Sequence, residues 1–103
     1  MSSIGFPFIP VHPGELLKEE LECRHISQRA FAAKVGFPYT TLNEILNGKR
    51  PVTADFALLM EAALGVEPGL LLRMQTSYNL QVAKKDPTLT GRLNKVRKLA
   101  VLF

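Results

Sequence analysis

From His12 onward, apolar residues recur at three- and four-residue spacing, and each run is bracketed by residues that start or stop a helix. In HPGELLKEELECR, Leu16, Leu17 and Leu21 form the stripe, while Glu19, Glu20 and Glu22 mostly face water. Pro13 suits the first helical position, where its missing N–H costs nothing, and Glu15 complements the positive helix end. Ser27 caps QRAFAAKV, whose Ala30, Phe31 and Val35 share an apolar face, and Gly36 stops it. A third helix is expected from Pro38 to Asn47, ended by Gly48 with Pro51 beyond. Thr53 caps ADFALLMEAAL up to Gly65; Glu67-Pro68 opens a longer helix through Lys84; Asp86-Pro87 opens a last one reaching the chain end. No alternating run lies between hairpin signals, so the expectation is all-α.

Only Gly36 and Phe37 separate the second and third helices, a connection tight enough to force the sharp crossing of a helix-turn-helix. Ala32 and Ala33 offer small side chains where the second helix must approach its neighbour. Around the third helix, at about 100° per residue, Tyr39, Asn43, Asn47, Thr40 and Glu44 fall on one side. Leu42, Ile45, Leu46 and Pro38 fall on the other. Any surface helix divides in this way. The makeup of the polar side is unusual, because it has no lysine, a single acid, an aromatic ring and several short neutral groups. Neutral donors and acceptors suit base edges in a major groove, and an asparagine such as Asn43 pairs with adenine there.

Charge surrounds this face. Across the 103 residues the net charge is +4 and the apolar fraction 47%, which describes one globular core. Glu15, Glu19, Glu20 and Glu22 make the first helix acidic; Arg29, Lys34, Lys49 and Arg50 dominate residues 27–50 against Glu44 alone. The last twenty residues carry a second basic cluster. Clustered cations favour polyanions through counterion release, although solvated helix faces account for the charge as well. The single cysteine, Cys23, closes no intrachain disulfide and fits a reducing cytoplasm. There is neither a signal-peptide pattern at the start nor an apolar run long enough to span a membrane.

At this level of detail the chain resembles the HigA-type antitoxins, within the Xre-type helix-turn-helix family related to phage repressors. The resemblance covers residues 12–84 and is carried by HPGELL, LNEILNGKRPVT and ALGVEPGLLLRMQ, with weaker similarity in the C-terminal run. It implies a five-helix, lambda-repressor-like domain over 12–84, preceded by an extended or disordered arm (1–11) and followed by an added helix (85–103). It also implies a homodimer on near-palindromic double-stranded operator DNA, repressing its own operon and neutralising a RelE-like, messenger-cleaving toxin. By position, base reading falls to Tyr39, Thr40 and Asn43, and phosphate contact to Gln28, Thr41, Lys49 and Arg50. The chain departs from the pattern at Pro38, where Ser or Thr is common, and at Gly69, Leu70 and Leu71, where an aromatic often follows the Pro-Glu step. A repressor without a toxin, or an interaction module that uses the fold without DNA, remain as alternatives.

Other features read plainly. His12, Cys23 and His25 match no zinc spacing and are expected to be helix-end polar groups and a half-buried thiol. No nucleophile–base pair or paired carboxylates emerge, so neither catalysis nor a cofactor is expected. In the last helix Leu89, Leu93, Val96, Ala100 and Phe103 form a stripe opposite Arg92, Lys95 and Lys98, and such a stripe must cover something. Packing on the chain's own core, a dimer contact and a toxin surface all satisfy it. With Tyr78 and Val82, the residues Leu89, Leu93 and Val96 are the candidate dimer or toxin surface.

Overall fold

The computed structural model describes residues 11–103, so the expectation for the arm lies almost wholly outside the described residues. Six α-helices follow in order: α1 (Pro13–Cys23), α2 (Gln28–Val35), α3 (Tyr39–Leu46), α4 (Ala54–Leu64), α5 (Pro68–Lys84) and α6 (Pro87–Leu99). A 3-10 turn, Ala100–Leu102, continues α6, and no strand occurs among the described residues.

The helix ends obey local chemistry. Ser27 Oγ accepts from the Ala30 N–H, Thr53 Oγ1 from Phe56 N–H and Asp86 from Thr88 N–H, so each helix begins with a satisfied donor. His12 caps α1 through Nδ1, which accepts from the Gly14 N–H at 2.9 Å. Gly36 ends α2 at φ 72°, a left-handed conformation that a side chain would strain. Glu67 precedes α5 without a side-chain cap bond; its carboxylate lies 3.7 Å from Arg73 instead.

Four local expectations are corrected. Pro38 is not the first residue of α3 but its capping residue, because its ψ of 129° is extended rather than helical. Ala33 and Ala30 are exposed; only Ala32 is buried in the α2 contact, with Phe31 beside it. Cys23 is exposed, since Leu21 turns to the core in the last turn of α1 and Cys23, two residues on, falls on the outer side. The final α-helix stops at Leu99 rather than at the chain end.

The core draws on α1 to α5. Leu17 and Leu21 of α1 meet Phe31 of α2, the three apolar residues of α3, Phe56, Met60 and Leu64 of α4, and Leu71 of α5. Burying each such side chain contributes about 1.5–3 kcal/mol. Two close approaches fix where α3 sits. A Cβ on Gly14 would collide with the Ile45 carbonyl, so glycine alone lets the start of α1 seat beneath the end of α3. Phe37, in the α2–α3 turn, packs on Phe56 with ring centroids 5.2 Å apart, pinning the turn to α4.

No residue of α6 is buried. Its substantial contacts are with α5 and the 3-10 turn. The radius of gyration is 17.5 Å and the longest dimension 56 Å, against a radius of about 13 Å for a compact chain of about a hundred residues. Of the three covers open to the stripe, the chain's own five-helix core is therefore not the one used: Val96, Leu99 and Phe103 are 53%, 54% and 96% exposed.

Candidate nucleic-acid interface

Burial of Leu42, Ile45 and Leu46 turns the opposite side of α3 outward. That side carries Thr40, exposed, and Tyr39 and Asn43, each half-buried against α2. Asn43 Nδ2 donates to Gln28 Oε1 at 3.0 Å, so the first residue of α2 braces the middle of α3. The Arg29 guanidinium carbon stands 4.2 Å from the centre of the Tyr39 ring. Gln28, Arg29, Tyr39, Thr40 and Asn43 thus form one continuous surface built from the first turn of α2 and the exposed side of α3.

Thr41 lies on the other flank, half-buried, lining a shallow groove with Phe37, Arg50 and Phe56. Lys49 and Arg50 follow α3 in a loop whose backbone is held at several points. Gly48 N–H donates to the Ile45 carbonyl, Lys49 N–H to the Glu44 carbonyl at 2.8 Å, and Val52 N–H to Gln75 Oε1 at 2.8 Å. Lys49 is exposed with no ion pair among those of the described residues. Arg50 is different, because Nε and Nη2 both donate to Glu44 Oε1, at 3.0 and 2.8 Å. Both partners are well exposed, so the pair is weak and exchangeable.

Sequence reasoning passed over two contributors. Gln75 is a buried polar side chain on α5 that anchors the loop through Val52 and passes the contact on to Asn79 at 3.0 Å. Its signal was present, since it lies four residues after Leu71 on the side of α5 facing the core. Arg29 gave no such signal, since its meeting with Tyr39 depends on how α2 and α3 cross.

The remaining expected residues lie elsewhere. Tyr78 is half-buried with its ring edge-on to His12, centroids 5.0 Å apart. Val82, Leu93 and Val96 are exposed and Leu89 is half-covered, along α5 and α6. His12 is buried where α1, the loop after α3 and α5 meet, and burial lowers its pKa. A backbone hydrogen bond at Arg50 and the charge of Glu15 oppose that shift without overcoming it. His12 stands at one end of α1, with Cys23 and His25 at the other, about 16 Å away at 1.5 Å per residue. Among the described residues no His, Cys, Asp or Glu cluster is placed to hold a metal, and no helix is long and apolar enough to cross a membrane.

Two short helices at a tight turn, the second offering a polar face bordered by cations, define a helix-turn-helix protein. A helix-turn-helix family model matches residues 17–71, and the chain belongs to that family. Virulence-associated protein I of Dichelobacter nodosus is 38% identical over 77 residues, which are 74% of this chain and 71% of that protein. HigA-family antitoxins are among its structural neighbours. An addiction module antidote protein of the HigA family from Coxiella burnetii superposes with a TM-score of 0.70 at 34% identity, over 88% of this chain and 95% of that one. The Pseudomonas aeruginosa antitoxin HigA, solved with the higBA promoter, gives a TM-score of 0.68 at 30% identity, over 73% and 83%.

Proposed function

We propose that the protein is the antitoxin of a toxin–antitoxin pair: a dimer that binds operator DNA, represses its own operon and neutralises a RelE-like, messenger-cleaving toxin. The carrying observation is the braced neutral face of α3. Tyr39, Thr40 and Asn43 read base edges, while Gln28, Thr41, Lys49 and Arg50 meet phosphates and fix the register. The Asn43 amide nitrogen has two hydrogens. Its bond to Gln28 uses one, and the other joins Oδ1 in the bidentate pattern that adenine accepts. The HigA relative solved on promoter DNA supports the same reading.

Two copies pair in this reading through the bare stripe of α6, with Tyr78 and Val82 beside it, and successive major grooves require their recognition helices about 34 Å apart. A two-fold contact of this kind uses the same patch on both copies. The reading requires no catalytic step. Toxin neutralisation rests on kinship with solved antitoxins and is tested by co-expressing the neighbouring reading frame and asking whether growth arrest is relieved.

DNA binding is tested by fluorescence anisotropy on the duplex upstream of the coding sequence. Asn43→Ala should relax preference at one position per half-site, by about 1–3 kcal/mol. Lys49→Ala should weaken all sequences alike and lower the salt slope by about one. An Asn43 variant with unaltered sequence preference sinks the base-reading assignment.

A further inference from the structure

Arg29 is poorly placed for the stability of its own helix. It is the second residue of α2, where the exposed N–H groups already make a positive end, and a cation there is electrostatically unfavourable. Its guanidinium is absent from the ion pairs and side-chain hydrogen bonds of the described residues. It is nevertheless localised, over the Tyr39 ring at 4.2 Å, at the edge of the surface that Asn43 and Thr40 continue. The ring engages the guanidinium through its π-face, whereas hydrogen bonds from arginine run in the plane of its N–H groups. The two interactions do not compete. Stacking restrains a long side chain before any ligand arrives, which reduces the ordering cost of binding.

We propose that Arg29 and Tyr39 act as one specificity-determining unit, the stacked guanidinium presenting its N–H fork to the O6 and N7 of a guanine in each half-site. This rests on the DNA-binding reading above. The planar fork fits phosphate oxygens as well as the paired O6 and N7 of guanine. Position decides between them, because the guanidinium lies over Tyr39, on the surface that Thr40 and Asn43 continue, and not beside the loop cations Lys49 and Arg50. Tyr39 then has two tasks, contact with its own base and restraint of its neighbour.

The test is enrichment of the full-length protein on a randomised duplex library, followed by anisotropy on the winning site and on single-base variants. The wild type should select a fixed guanine in each half-site. Arg29→Ala should lose about tenfold or more of the discrimination at that guanine, leave the positions read by Asn43 unaltered, and melt like the wild type because the side chain is exposed. Arg29→Lys should not restore the lost discrimination. Tyr39→Leu should weaken the same guanine preference, and combining it with Arg29→Ala should add nothing further at that base. Equal loss on every sequence would mark a phosphate contact, and recovery of the guanine preference by lysine would show that the planar fork is not required; either result overturns the proposal. If the wild type selects a site and Arg29→Ala selects it equally well, the Arg29 assignment alone fails. A wild type that enriches no sequence removes both this unit and the operator reading.

Discussion

Helices α3 and α6 carry apolar stripes at the same spacing and meet opposite fates. In α3 the stripe is closed off, with Leu42, Ile45 and Leu46 at 0%, 2% and 1% exposure. In α6 Leu93, Val96 and Leu99 remain 37%, 53% and 54% exposed. Their polar sides differ too: α3 shows neutral hydrogen-bonding groups and one acid, while α6 shows Arg92, Lys95, Arg97 and Lys98. The pattern of a helix states that one face needs cover. It does not state whose atoms supply the cover. For α3 the cover comes from four other helices of the same chain, and α6 begins only after that core is complete.

The sharpest way to break this comparison is to delete the same atoms in both places. Leu42→Ala should destabilise by about 2–5 kcal/mol through lost transfer energy and a residual cavity. Leu93→Ala should stay within about 0.5 kcal/mol in a dilute monomer, as surface changes do. Urea melts of both variants decide it, and a costly Leu93→Ala would show α6 covered within its own chain. The double change Leu93→Glu and Val96→Glu should leave the helix content unaltered, shift sedimentation to the monomer and reduce operator affinity about a hundredfold, or about 2.7 kcal/mol. Unaltered sedimentation would remove α6 from the pairing contact. On the α3 side, Glu44→Gln frees Arg50 and removes the one acid near the polar face. Binding to unrelated DNA should tighten a few-fold at low salt, roughly 1 kcal/mol or less, and the gain should vanish as salt is raised.

The smallest expected effect concerns His12, beneath the loop that follows α3. Its pKa is lowered by burial, so the folded chain favours the neutral ring, whose Nδ1 accepts the α1 capping bond. The unfolded chain takes up the proton near the ordinary value of 6.5. Stability from this group is therefore complete above that pH and erodes as pH falls from there towards the lowered folded value. Thermal melts between pH 7.5 and 5 should show a decline that His12→Asn, a neutral capping residue, does not share at this step. An equal slope in both proteins would assign the decline elsewhere.

What the sequence disclosed follows the range of the interactions. Ser27, Gly36, Thr53 and Asp86 act on donors and acceptors within a few residues, so their roles were legible. Pro38 was misplaced by one position, because proline fixes φ and leaves open the ψ that separates a capping residue from a helical one. The neutral face of α3 was legible from its residue types, whereas the bracing of Asn43 by Gln28 spans fifteen positions and depends on the α2–α3 crossing. The contacts of Arg29 with Tyr39, of His12 with Tyr78 and of Gln75 with Val52 are of the same kind. No periodicity within one helix encodes an interaction between two.

The Gln75 anchor has a consequence for how DNA is measured rather than how it is read. One helix, α5, grips the Lys49–Val52 loop near its middle and carries α6 beyond its far end. Its 17 residues span about 26 Å as a single rod. If two copies join through α6, the separation of their cationic loops is a fixed length counted in turns of α5, like the jaws of a caliper set by its beam. Lengthening α5 by one turn after Asn79 should then alter the half-site spacing preferred by the dimer, while each half-site keeps its own letters.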